Sequence, residues 1–137
     1  MTPEIVLQQA IRERLAGDAA ILAYVPAASI LDRNERPAPT PSIILGEAQA
    51  VDEGAAMARN RLRVYLDAHV WVKEPSLKTA KMIAGAIRLA IRSGRPVLPV
   101  PFHCADCFVS AARFLRDPDG ETSHGVVSIS ALVQEAV

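Results

Sequence analysis

From Asn60 to Val72 the chain alternates without a slip. Leu62, Val64, Leu66, Ala68, Val70 and Val72 fall on one side, and Arg61, Arg63, Tyr65, Asp67, His69 and Trp71 on the other. Successive side chains of a strand point to opposite faces, so a period of two predicts one long β-strand with an aliphatic face and a polar, aromatic face. Such a strand cannot stand alone. It needs hydrogen-bonded partner strands, and its aliphatic face needs a second layer to cover it.

Two segments with a helical period can supply that layer. Thr2-Pro3-Glu4 reads as a helix start, with Thr2 as cap, Pro3 in the first turn and Glu4 at the positive end of the dipole. Leu7, Ala10, Ile11 and Leu15 then share one stripe, and Gly17 suits the end. Asp18 caps a further short turn, Ala19 to Tyr24, before Pro26. Ser76 is the expected cap of a second long helix running to about Ser93, with Ala80, Ile83, Ala84, Ile87 and Ile91 inward and Gly94 after its end.

The remaining segments predict more strands. Ser29 to Leu31 is a short one. Arg36 to Pro41 holds three prolines and must be extended or looped, and Ser42 to Gly46 follows as a strand. Glu47 to Asn60, rich in Ala, Gly and acid, has no clean period and reads as a long excursion between strands. Val97 to Pro101 is an extended connection. Asp106 to Arg116 and Ser123 to Gln134 are the last strands, joined as a hairpin by Asp117-Pro118-Asp119-Gly120. The expected fold is therefore α+β: a two-layer, mostly antiparallel β-sheet packed against two main helices. At 137 residues it forms a single domain over 1–137.

Composition narrows the function. Fifteen basic residues balance fifteen acidic ones, which argues against a general polyanion binder. Six aromatics are too few for a base-stacking platform. The longest apolar run, Ala19 to Val25, is far short of the ~20 residues of a membrane span, so no membrane partner is expected. The first residues carry no positive charge ahead of an apolar stretch, so a secretory leader is not expected. Two cysteines cannot build a disulfide framework.

Three groups of residues could carry function. His103, Cys104 and Cys107 form the most chemical-looking stretch. However, a structural zinc site needs four ligands, and no second Cys-x-x-Cys pair is present. The pair leads into a strand, where residues three apart point to opposite faces, and not into a helix N-terminus that would activate a thiol. One buried, inert Cys and one near the surface is the plainer reading. His69, His103 and His124 could supply a base and Ser110, Ser123, Ser128 or Ser130 a nucleophile, but no Gly-x-Ser-x-Gly elbow or glycine-rich phosphate loop accompanies them. The polar face with Arg63, Tyr65, Asp67, His69 and Trp71 is richer, because Tyr, Trp and Arg are the residues of binding hot spots. Either that face is left uncovered and needs a partner, or the short helix or chain start covers it and Trp71 is core.

Several stretches in order resemble one family. They are Pro3 to Leu15, the run Pro39-Thr40-Pro41-Ser42-Ile43-Ile44-Leu45-Gly46-Glu47, His69-Val70-Trp71 ahead of Ala80-Lys81 and Ala84, and Arg113-Phe114-Leu115-Arg116-Asp117-Pro118-Asp119-Gly120 with His124-Gly125-Val126. Together these resemble the tail terminator (tail completion) proteins of long, non-contractile-tailed phages and of phage-derived gene transfer agents. The Cys-x-x-Cys departs from that pattern, and no role is transferred to it.

The resemblance implies a structural protein of virion assembly, not an enzyme, and no cofactor or metal. It implies a homo-hexameric ring that ends the tail tube and joins it to the head or neck. The expected partners are further copies of the chain, the tail tube protein and a head-completion or stopper protein, with DNA only passing through the lumen. The expected location is the tail–neck junction of a virion or phage-like particle, and the host cytoplasm before assembly. Arg63, Tyr65, His69, Trp71, Arg116 and Asp117 are the expected subunit-interface residues. Glu47, Asp52 and Glu53 are expected at the lumen or the tube. The alternatives are another head–tail connector, a stopper or adaptor, or a small thiol- or metal-dependent enzyme.

Overall fold

The computed structural model describes residues 1–33, 35, 38–54 and 57–136. Helix α1 (Pro3–Ala16), the single turn α2 (Ala19–Leu22) and a 3-10 turn (Ala27–Ser29) lead into β1 (Ile30–Leu31), β2 (Ser42–Asp52) and β3 (Arg61–Lys73). Then come α3 (Lys78–Arg92), β4 (Phe102–Arg116) and β5 (Thr122–Glu135). The strands form one sheet in the order β1-β2-β3-β5-β4. Only β1 and β2 run parallel; the other three pairs are antiparallel. This is the expected α+β class. Of the proline-rich approach, Arg36 and Pro37 lie outside the described residues, as do Ala55 and Ala56 of the expected excursion.

The strand with the clean alternation sits at the centre of the sheet, between β2 and β5. Its Val64, Leu66, Ala68 and Val70 are buried, together with Val127, Ile129, Ala131 and Val133 of β5. The α1 residues Val6, Leu7, Ile11 and Leu15 and the α3 residues Ala80, Ile83, Ala84, Ile87, Ala90 and Ile91 complete the same core. All the helices therefore cover one face of the sheet. Both predicted helical stripes face inward as expected, because burying them removes the most apolar area from water.

The helix starts are only partly as the sequence suggests. Thr2 and Asp18 cap α1 and α2, accepting from Ile5 N at 3.4 Å and Ile21 N at 3.1 Å. Helix α3 begins at Lys78, whose N–H donates to the expected cap Ser76 Oγ at 3.2 Å, and the next two N–H groups are capped by a carboxylate from outside the helix. Glu74 accepts from Thr79 N at 2.9 Å and Ala80 N at 3.0 Å. Burial raises the Glu74 carboxyl, but these backbone donors outweigh it and hold the group below its usual range. Arg116 donates to the carbonyls of Glu74 and Pro75 at 2.7 and 3.1 Å, tying the β4–β5 hairpin to the α3 approach.

Two strand boundaries differ from expectation for a shared reason. Glu47 to Asn60 is not an excursion: β2 runs on to Asp52, paired with β3 as far as Leu62. Gly46 and Glu47 together oppose one residue of β3, because the register shifts between Leu45 and Ala48. Similarly, β4 starts at Phe102 and not Asp106, with register shifts at Cys104/Asp106 and Val109/Ala111. A bulge inserts one residue and reverses the inward–outward order beyond it, which hides the period of two from the sequence.

Candidate functional site: an uncovered sheet face and an exposed strand end

Among the described residues no helix lies on the second face of the sheet. Cross-strand pairs there join Trp71 to His124, His69 to Val126, Asp67 to Ser128, Tyr65 to Ser130 and Arg63 to Leu132. Trp71 is half-buried and lies outside the core, so the choice left open by the sequence falls to the uncovered face. Tyr65, Phe108 and Leu115 are exposed on the same side. An apolar and aromatic surface with no intrachain cover is the usual mark of an interaction site.

The pairing of β3 with β5 builds a cluster at one end of this face. His69 Nδ1 and His124 Nε2 are 2.8 Å apart, so one of the two nitrogens carries the shared proton. The Trp71 and His124 rings stack with centroids 3.9 Å apart and planes 7° from parallel. Glu47 Oε1 lies 3.5 Å from His69 Nε2, which has no hydrogen-bond partner among the described residues. Ile44, Leu45, Gly46, Glu47, His69, Trp71 and His124 line a cleft of about 480 Å³. A smaller one of about 210 Å³ adjoins it, bounded by Glu47, Ala48, Gln49, Tyr65 and Asp67. Asp67 accepts from Ser128 Oγ at 2.9 Å.

The cluster predicts a pH response. The His124 ring is held below the ordinary histidine value of 6.5. Burial is the first cause and the neighbouring His69 the second; Arg113 adds to them, while Asp117 and Glu47 pull the other way. A histidine depressed in the fold takes up its proton more readily in the unfolded chain. Its contribution to stability is therefore full above pH 6.5 and is lost as pH falls toward the folded value. The urea midpoint is expected to drop on acidification below pH 6.5, and part of that drop to vanish in His124→Gln. Identical pH profiles for the two proteins would rule this out.

The remaining predicted site residues are dispersed. Residues 46–52 of β2 are exposed on both sides, while Val64 and Leu66 opposite them on β3 stay in the core, so the outer end of β2 is a sheet edge with no further strand partner among the described residues. At its tip Asp52 pairs with Arg59 at 2.9 Å, Glu53 lies 3.7 Å from Arg63, and Met57 is 98% exposed. Glu47 belongs to the histidine cleft, roughly 16 Å back along the strand from Asp52. Arg63 sits between Glu53 and Asp106, and the Arg116 guanidinium is engaged by the Glu74 and Pro75 carbonyls. Asp117 starts the hairpin turn, bonded through its N–H to the Thr122 carbonyl at 2.9 Å.

The cysteines correct one expectation. Because the bulge at Ala105 adds a residue, Cys104 and Cys107 oppose Val133 and Ala131 and point to the same, core-facing side. Cys104 is buried and Cys107 half-buried against the core. A hydrogen bond from Cys107 holds the Cys104 thiol below its usual range, whereas that contact and burial push Cys107 up. His103 lies one position earlier, exposed on the other side of the strand. Among the described residues no three His, Cys, Asp or Glu side chains are gathered as a metal site. No described helix is long and apolar enough to cross a membrane.

The convergence of His69, His124 and Glu47 was not readable from their positions. The signal that could have found it is the register of β5 on β3, which sets Trp71 opposite His124.

Comparison with known proteins gives a consistent picture. Residues 9–134 match the family model described as tail completion protein gp17. No curated protein matches the chain. Among solved structures, a chain in the virion of a native gene transfer agent particle superposes with a TM-score of 0.83, at 19% identity and covering 96% of both chains. The gp17 protein of bacteriophage SPP1 superposes with a TM-score of 0.61, at 19% identity over 93% of this chain and 88% of that one.

Proposed function

Because the chain belongs to the tail completion protein gp17 family, we propose that it works as one subunit of a closed, six-membered ring that ends the tail tube and joins it to the head side of the particle. The chain acts by shape and not by catalysis. DNA passes through the ring, and the protein's place is the tail–neck junction. The observation that carries the reading is the family match, which runs from within α1 to the end of β5 and so spans the whole fold. The likeness to a chain of a gene transfer agent virion and to a phage gp17 protein supports it.

The size of the subunit is compatible with such a ring. A chain of 137 residues has a radius of gyration of roughly 14 Å, equivalent to a sphere about 37 Å across. Six touching spheres leave a hole one sphere wide. A duplex about 20 Å across, with grooves roughly 8 Å deep, passes through it. Ring closure demands heterologous contacts, in which one surface of a subunit meets a different surface of the next. The uncovered sheet face, with Tyr65, His69 and Trp71, is one of those surfaces. The outer end of β2, with Asp52 and Glu53, reaches the tube or the lumen.

The decisive experiment adds the purified protein to polymerising tail tube protein. Tubes are expected to stop growing and to carry six copies at one end by electron microscopy. Tubes of unchanged length would refute the reading, and binding to the portal side alone would make the protein a stopper or adaptor. A finer test concerns the outer end of β2. Acidic side chains at a lumen repel phosphate and let DNA slide. The Asp52→Lys, Glu53→Lys double variant is expected to assemble while slowing DNA release from the particle. Unchanged release would take that strand end out of the lumen.

A further inference from the structure

Helix α3 has a largely exposed outer face, touched at Met82, whose Sδ accepts from the Tyr24 hydroxyl at 3.8 Å. Lys78, Met82, Gly85, Arg88, Leu89 and Arg92 form one exposed stripe along it, at successive helical turns. The helix contains no acidic residue, and no ion pair engages Lys78, Arg88 or Arg92 among the described residues. Leu89 is 63% exposed and Met82 45%. Gly85 lies midway between them, and a Cβ added there would meet nothing within 4 Å. Glycine in a helix interior lowers helix stability, so its place here has no explanation inside the chain. A glycine flanked by exposed apolar side chains and cations fits a helix that another body approaches closely.

The opposite side of the molecule carries a complementary surface. The two adjoining clefts on the uncovered sheet face share Glu47 and add Asp67, and no lysine or arginine lines either one. Their other walls include Tyr65, Trp71 and His124, flat rings over which a guanidinium or a methionine can pack. Elsewhere on that face Arg63 lies between Glu53 and Asp106, and Arg113, opposite Val126, stands near the His124 end of the groove. The basic stripe and the acidic, aromatic groove thus lie on opposite faces of one sheet.

We propose that the outer face of α3 in one copy docks on the Glu47–Asp67–Trp71 groove of the next copy. Arg88 and Arg92 meet the two carboxylates, Met82 and Leu89 cover the aromatic rings, and Gly85 lets the helix backbone come close. Each sheet is then sandwiched between its own helices and its neighbour's α3. The two surfaces differ, so the contact is head to tail, and the rotation it sets between neighbours decides that a ring closes and no open filament grows. The inference rests on the ring reading above and specifies its contact.

Charge reversal tests it. Glu47→Lys with Asp67→Lys reverses the groove, and Arg88→Glu with Arg92→Glu reverses the helix. Each pair alone is expected to lower ring formation on tail tube ends at least tenfold. All four changes in one chain restore it, because reversed groove then meets reversed helix. Gly85→Leu guards against misfolding: it should keep or raise the unfolding midpoint, as leucine favours helix, yet cut assembly at least tenfold. If either reversed pair, or Gly85→Leu, forms rings as well as the unmodified chain, the α3 contact is wrong and the ring reading stands. An unmodified chain that forms no ring on tube ends overturns the ring reading and the contact with it.

Discussion

Replacing Trp71 with alanine is expected to give a folded protein that no longer assembles. The indole is half-buried on the face opposite the helices, and its ring contact within the chain is the stack on His124. Losing an aromatic stack costs about 0.5–1.5 kcal/mol beyond the area exposed, which a domain of ~5–15 kcal/mol can absorb. In the ring proposed above the same side chain would anchor the centre of a subunit contact. Truncating such an anchor costs on the order of 2 kcal/mol or more, about a thirtyfold loss at each interface. A closed ring repeats that loss at every junction, so assembly should fall much further than thirtyfold. Circular dichroism and urea unfolding report the fold, and capping of tail tubes reports assembly. An unfolded Trp71→Ala protein would show that the indole holds the domain together. A folded variant that still caps tubes would move the subunit contact elsewhere.

The elements that the sequence made legible are those with an uninterrupted period. Thirteen residues of β3 alternate cleanly and occupy the centre of the sheet. The inward stripe of α3 contains every residue its spacing implied. The Asp117–Gly120 turn forms where its proline and glycine suggest, with Gly120 at φ +73° and its N–H bonded to the Asp117 carbonyl. The features that escaped notice follow bulges. After Gly46-Glu47 the alternation of β2 changes sign, and its remaining residues are small or polar and exposed, so a paired strand resembles a loop. The bulge at Ala105 likewise turns Cys104 and Cys107 to one side when their spacing alone sets them apart. The candidate site was half visible. His69 and Trp71 share a face by simple alternation. Their partner His124 enters only through the pairing of β5 with β3, a long-range choice that no local pattern encodes.

A change in the layer beneath should produce the opposite outcome to Trp71→Ala. Ile87 is fully buried in the inward stripe of α3, packed within the core between helix and sheet. Ile87→Ala removes three carbons from a close-packed interior, where lost burial and the residual cavity together cost about 2–5 kcal/mol. For a domain of this size that lowers the melting temperature by roughly 7–17 °C. The outer stripe of α3 and the sheet face opposite are untouched by the substitution. Below its melting transition, therefore, the variant should still cap tail tubes at near the normal level, and capping should disappear with the fold on warming. Trp71→Ala should fail at every temperature, however well it is folded. If Ile87→Ala also loses capping while its circular dichroism is intact, then the inner packing of α3 sets the position of the assembly surface. Stability and assembly could then not be assigned to opposite sides of the helix layer.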